Sequence, residues 1–295
     1  MTDHEFVVDL GDMRVPAIIS RGSSSQGICV ALHGANEPSM DFFLYEHLAD
    51  VMPPTGWDVL RFNRRPTVQG VPLEQQVADL LTVIASARSE LGGDQMSIGL
   101  WGFSQGAWTA SLAASEIGVA FLVLVGFSAV TPGEQMRYAT ANYLRSAGHG
   151  EQPVAELANL RSTYEAYHRG EMSQPEAQAI VDRRRAEDWF DLAYVPAQLP
   201  PLAEIEDPGL FEFNPLPYLV DADTPTLLFY GDDDEDVPVS ASVAAVQQTD
   251  HLSAEIHRLA GARHDLTVSQ GDDRPTLHRD YETELTRWIT QRQAV

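Results

Sequence analysis

The sequence predicts an α/β protein: a mostly parallel, eight-stranded sheet flanked by helices, with a helical segment inserted late in the chain. Three observations predict it. Short apolar runs of strand length alternate with helix-length amphipathic segments at both ends of the chain. A glycine-flanked serine stands between one such run and a helical stretch. Between about Thr131 and Asp223 the alternation stops, and helix-like stretches rich in Tyr, Glu, Gln and Arg follow one another, punctuated by proline.

Taken in order, residues 5–10 and 14–20 read as two strands joined around Gly11-Asp12, an edge hairpin. Buried strands follow at 28–32, 57–62, 96–101 and 121–127, and two more at 226–230 and 254–259. Helices are expected at 41–50, 73–91, 105–116, 239–248 and 277–292; in the second of these, Leu73, Val77, Leu80, Leu81 and Ile84 form one apolar stripe that reads as ordinary core. Thr131-Pro132-Gly133 on one side, and Asn214-Pro215-Leu216-Pro217 with Thr224-Pro225 on the other, bound the inserted segment. The expected organisation is a core of residues 1–130, a helical cap of 131–223 and the rest of the core at 224–295. No repeat at fixed period is present.

Composition narrows the function. Hydrophobic residues make up 44% of the chain and charged residues 21%, the balance of a soluble globular protein. Acidic residues outnumber basic ones 43 to 19, for a formal charge of -24, and all the basic ones are arginine. A nucleic-acid partner needs a basic patch, and the one dense cluster, Arg183-Arg184-Arg185, runs straight into Glu187 and Asp188 and reads as a solvated helical face. The same acidity is expected to disfavour strongly anionic substrates at long range. Cys29 is the only cysteine, so no intrachain disulfide can form. The first residues lack the basic and apolar regions of a secretory signal. The longest strongly apolar run, Ala120 to Val130, is far short of the roughly 20 residues that span a bilayer. The expectation is a cytoplasmic protein with neither a membrane nor a nucleic-acid partner.

The strongest chemical signal is Gly102-Phe103-Ser104-Gln105-Gly106, between the apolar run 96–101 and the helix that begins near Ala107. A strand, a sharp turn and a helix hold such a serine in a strained backbone conformation, and small neighbours let strand and helix approach closely. A serine hydroxyl needs a base to take its proton. His264, in a glycine-bearing loop after the last strand, fits that role, whereas His257 falls inside the strand, His251 precedes it and His278 opens the last helix. The partner carboxylate should follow the strand 226–230, where five acids crowd Gly231-Asp232-Asp233-Asp234-Glu235-Asp236-Val237-Pro238. Asp234 is the first choice and Asp236 the second. A calcium loop is the rival reading of Asp232, Asp234 and Asp236, but the glycine due at its sixth position is absent and position twelve is Val243. An oxyanion hole would draw one N–H from Gln105 and one from Ala35, after His33-Gly34.

The ordered set His33-Gly34, Gly102 to Gly106, Gly231-x-x-Asp234-x-x-Val237-Pro238 and His264 resembles the α/β-hydrolase superfamily over nearly the whole chain outside the cap. Within it, Trp101 to Trp108, an insertion from Glu134-Gln135-Met136 and Phe213-x-Pro215 look like capped bacterial carboxylesterases, often labelled serine-aminopeptidase-like hydrolases. Where many of those carry Asp-Lys-Arg-Gly, this chain has Asn63-Arg64-Arg65-Pro66. Serine at 104 separates it from haloalkane dehalogenases and epoxide hydrolases, which use aspartate there, and from dienelactone hydrolases, which use cysteine.

The resemblance implies a serine hydrolase acting through an acyl-enzyme on a small to medium, partly apolar ester, with no metal or organic cofactor. Substrate contacts are expected from His33, Gly34 and Phe103 in the core and from Tyr138, Tyr164 and Trp189 in the cap, where Tyr143, Tyr167, Phe190 and Tyr194 are further aromatics. A peptidase or amidase, a lactonase, acyltransferase or cyclase, and a non-catalytic binding protein on the same fold are the alternatives.

Overall fold

The structure, a computed structural model, describes residues 2–35, 39–65, 71–92, 96–205, 209–268 and 275–292. Pro66 of the Asn63-to-Pro66 stretch lies outside them, as does Met1.

The strands are β1 (Thr2–Asp9), β2 (Arg14–Arg21), β3 (Gly27–Leu32), β4 (Trp57–Phe62), β5 (Ser97–Phe103), β6 (Phe121–Val125), β7 (Thr226–Gly231) and β8 (Ala254–Leu259). They form one sheet in the order β1-β2-β4-β3-β5-β6-β7-β8. β1 and β2 pair antiparallel, as does β2 with β4, and every other neighbour is parallel. Two boundaries moved for physical reasons. The hairpin register, Thr2↔Arg21 through Asp9↔Arg14, starts β1 three residues earlier than its hydrophobic pattern does. β6 stops at Val125, short of the expected 127, because Gly126 turns to φ +61 and leaves the extended conformation.

The helices are α1 (Phe43–Val51), α2 (Leu73–Leu91), α3 (Gln105–Glu116), α4 (Pro132–Ser146), α5 (Glu151–His168), α6 (Gln174–Arg184), α7 (Leu216–Ala222), α8 (Val239–Gln248) and α9 (Arg279–Gln291). The period-two alternation of each buried strand divides its side chains between two cores. Ile28, Val30 and Leu32 of β3 face one side, packed with Leu80 of α2, Ala107 of α3 and Val246 of α8. Cys29 and Ala31 face the other, with Leu44 and Leu48 of α1 and Leu285 and Trp288 of α9.

Four helices, α4 to α7, fall between β6 and β7. The first three share a separate apolar cluster in which Leu144, Leu157 and Val181 meet Trp189 and Phe190. α7 does not join it; Leu219 packs with the sheet core and α3. A capping box starts α4, where Thr131 and Glu134 exchange hydrogen bonds, and a second starts α6 at Ser173 and Glu176. Among the described residues, no helix is long and apolar enough to cross a membrane.

Candidate active site

β5 ends in the turn that carries Ser104. Its backbone lies at φ 52 and ψ -120, a region that a residue with a Cβ occupies only when its surroundings over-determine it. Here they do. The Ser104 N–H donates to the Val125 carbonyl at 2.8 Å, and the Ser104 carbonyl accepts from the Ala107 N–H at 2.9 Å. A Cβ on Gly102 would lie 2.5 Å from the Gly106 carbonyl oxygen, and one on Gly106 would lie 2.4 Å from that of Leu32. Strand β3, the turn and α3 close on each other only because both positions are glycine.

Thirty residues separate Asp234 from His264 in the chain, and the sheet closes the gap: β7 and β8 are neighbours, and each residue follows one of them. The His264 Nδ1 lies 2.8 Å from Asp234 Oδ2, and since an ionised carboxylate only accepts, the imidazole donates. The other oxygen, Asp234 Oδ1, accepts from the Asp236 and Val237 N–H groups, both at 2.8 Å. These three bonds fix a carboxylate that is almost wholly buried. Burial works against a charge on His264, but the Asp234 carboxylate outweighs it and holds the imidazole above its ordinary value.

Asp236 is engaged elsewhere: its carboxylate accepts from the hydroxyl of Tyr143 in α4. Burial, and then this bond, push the Tyr143 phenol up, so it remains a donor. Two further contacts seat α4 on the same loop, Tyr138 hydroxyl to the Asp234 carbonyl and the Asn142 amide to that of Glu235, each at 3.1 Å. Ligand atoms of Asp234, Asp236 and His264 lie within 4.8 Å of one another, a spacing a cation could bridge. Each carboxylate already accepts hydrogen bonds there, and the His264 nitrogen facing Asp234 carries a proton, so a metal would have to displace that network.

Ser104, His264 and Asp234 line one cavity of about 1360 Å³ together with Gly34, Ala35, Phe103, Gln105, Tyr138 and Tyr164. The rings of Phe103 and His264 lie 5.0 Å apart. Gln105 is the first residue of α3, where an N–H has no acceptor within the helix. Arg64 ties this wall together, donating to the Ala35 carbonyl at 2.6 Å and to the Gln105 side-chain oxygen at 3.3 Å. The arrangement puts a hydroxyl and an imidazole oriented by a buried carboxylate on the wall of one cavity.

Two expected contacts are not brought to this cavity. His33 is buried against Tyr45 and Phe62, and burial with the charge of Arg64 lowers it to about 3. Its backbone turns the loop while its ring fills the core. Trp189 packs inside the cluster of α4 to α6, as do Phe190 and Tyr167, because a large ring on a segment with its own core is claimed by that core. The competing histidines lie elsewhere as expected: His257 in β8 contacts Glu255, and His278 caps α9.

Sequence reading missed three residues. The imidazole of His264 lies over Gly126, where a Cβ would stand 2.6 Å from His264 Cε1. Arg64 sits on the loop that departs from the expected pattern. Arg161 interrupts the stripe Leu157, Tyr164 and His168 on α5, and a cation on such a stripe was the available signal.

The sheet order and the helices that cover it are those of the α/β-hydrolase fold. No protein-family model matches the chain, and neither does any curated protein. Solved structures do match it along its length. Est1E from Butyrivibrio proteoclasticus is 15% identical, with 97% of this chain and 96% of that one covered and a TM-score of 0.58. A proline iminopeptidase from Mycobacterium smegmatis is 18% identical, with 98% of each covered and a TM-score of 0.58. An esterase from Pyrococcus furiosus is 15% identical, with 99% and 90% covered and a TM-score of 0.61. At these identities the likeness shows the fold.

Proposed function

We propose that this protein is a serine hydrolase that cleaves carboxylic esters of small to medium, partly apolar compounds. The observation that carries the reading is the imidazole of His264, held at 2.8 Å by the buried Asp234 in the same cavity as the strained Ser104. In this reading His264 takes the proton of Ser104 as its oxygen attacks the ester carbonyl, and returns it to the leaving alcohol. Asp234 keeps the imidazole in the tautomer that accepts on Nε2 and stabilises the cation that forms. The N–H groups of Ala35 and Gln105 receive the oxyanion, each worth roughly 3 to 4 kcal/mol at the transition state. Water, activated by the same imidazole, then releases the acid. The inserted segment 131–223 acts as a cap through the part before α7, which packs with the sheet core, and Tyr138, Tyr143, Tyr164 and Tyr194, which line the cavity, set specificity. No metal or organic cofactor takes part.

A fluorophosphonate probe tests this directly. It is expected to label the folded protein on Ser104, as read by peptide mass, and to leave Ser104→Ala unlabelled. Folded protein that stays unlabelled would sink the proposal.

The base must be neutral to accept a proton, so kcat/KM is expected to rise with pH through the pKa of His264. With that pKa raised, the rise falls above the ordinary histidine value of 6.5. Stability follows the opposite sense. The ion pair contributes fully below the unfolded value, and its contribution is lost as pH rises through the folded one. A kcat/KM profile with its half-rise below 6.5 would contradict the assignment.

A further inference from the structure

We infer that Arg161 of α5 forms a subsite for a carboxylate that the substrate carries away from the bond to be cleaved. The inference rests on the hydrolase reading above, and it names the substrate class of that same cavity.

Arg161 lines the cavity, yet only 1% of its side chain is exposed. Its Nη1 donates to the carbonyls of Ala193 and Tyr194, each at 3.3 Å. Nε and Nη2 are buried without an acceptor among the described residues. These two nitrogens form the edge of a guanidinium that grips a carboxylate with two parallel hydrogen bonds. Glu165 Oε1 stands 3.7 Å from Nη2, beyond hydrogen-bond reach, and the other oxygen of Glu165 is taken by Arg137. Arg137 and Arg161 share the one carboxylate of Glu165, while Arg169 beyond them is held by Glu171 and Glu212. The rings of Phe211 and Tyr164 lie 5.3 and 5.9 Å from the guanidinium carbon and hold it in place. His168 adds no charge, because burial and the field of Arg161 lower it to about 4.

A buried guanidinium whose Nε and Nη2 lack a hydrogen-bond acceptor, and whose ion pair with Glu165 is a long 3.7 Å, is costly on this helix stripe, and a ligand that supplies the acceptors offsets that cost. The rest of the lining agrees. Asp232, Asp233, Glu235, Asp236 and Asp265, from the two loops that carry Asp234 and His264, line the same cavity and repel a second negative charge from that end; Glu204 also lines it but is exposed to solvent that screens it. Arg145 and Arg263 also line the cavity, but both are exposed and Arg145 is held by Glu151. The acidity of the whole chain acts on an approaching anion through solvent that screens it within about 8 to 10 Å, whereas Arg161 acts at contact. Inside the cavity, the long-range expectation against anionic substrates is therefore reversed.

The test uses linear dicarboxylic acids from glutarate to sebacate and monocarboxylic acids of the same lengths. Calorimetry measures their binding to Ser104→Ala protein, and kcat/KM is measured on wild type for their p-nitrophenyl half-esters and esters. One diacid length is expected to bind about tenfold or more tighter than its monoacid, with the same preference in kcat/KM. Arg161→Gln is expected to abolish that ratio and Arg161→Lys to restore part of it. If Arg161→Gln does not fold, as judged by circular dichroism, the wild-type ratio still decides. Diacids that bind no tighter than monoacids at any length, or a folded Arg161→Gln that keeps the preference, would overturn the inference. Labelled Ser104 without a diacid preference overturns the subsite alone; a diacid preference with Ser104 unlabelled overturns the hydrolase reading and leaves the subsite standing.

Discussion

Ser104→Ala is expected to lower the turnover of an activated ester by about a million-fold, down to the rate that binding and the backbone amides supply alone. The loss should come without unfolding. The Ser104 side chain makes no capping hydrogen bond to α3, and alanine keeps the same Cβ in the same strained conformation, so the turn between β5 and α3 is left as it was. Its melting temperature should therefore stay close to that of the wild type while kcat collapses. Steady-state hydrolysis of p-nitrophenyl butyrate by both proteins measures the difference. A variant with a substantial fraction of wild-type turnover would mean that the hydroxyl is not the attacking group.

The next largest effect is expected at Asp234. An asparagine there can still accept the Asp236 and Val237 N–H groups with its oxygen, so the loop keeps its shape. Its amide then points N–H at His264 Nδ1, which must become the acceptor and drive the imidazole proton to Nε2. A base protonated on that side cannot take the serine proton, and turnover should fall by about four orders of magnitude. Removing the carboxylate also removes what raises the pKa of His264, so residual activity should begin at lower pH. Asp236→Asn keeps a side-chain oxygen that can accept from Tyr143, its backbone N–H still serves Asp234, and it should cost less than about tenfold. Measured side by side at one pH, the two variants decide the acid; a crippled Asp236→Asn beside a mild Asp234→Asn would reverse the choice.

Much of the fold was legible because strands and helices are set by neighbours two to four residues away. The alternation in β3 sorts Ile28, Val30 and Leu32 from Cys29 and Ala31, and it places them on opposite sides of the sheet. The turn at Ser104 was legible for the same reason, since Gly102 and Gly106 are needed within a five-residue window. His264 was legible from chain order: a loop after the last strand stands beside the loop after β7 in a parallel sheet. Asp234 could only be ranked above Asp236 from sequence, because both sit on one loop with identical chemistry.

What the sequence by itself determined is therefore the sheet, the helices that cover it and the loops that hold a serine, an acid and a histidine, all written in short-range patterns of size and polarity. The tertiary structure decided the rest. Tyr143, distant in sequence, engages Asp236 and leaves Asp234 to the imidazole. The cores claim His33 and Trp189, and α5 turns Arg161 to the cavity wall. The physical reason is that which groups end up facing one another, and which donors are left buried without an acceptor, depends on surfaces that meet only when segments far apart in the chain pack together.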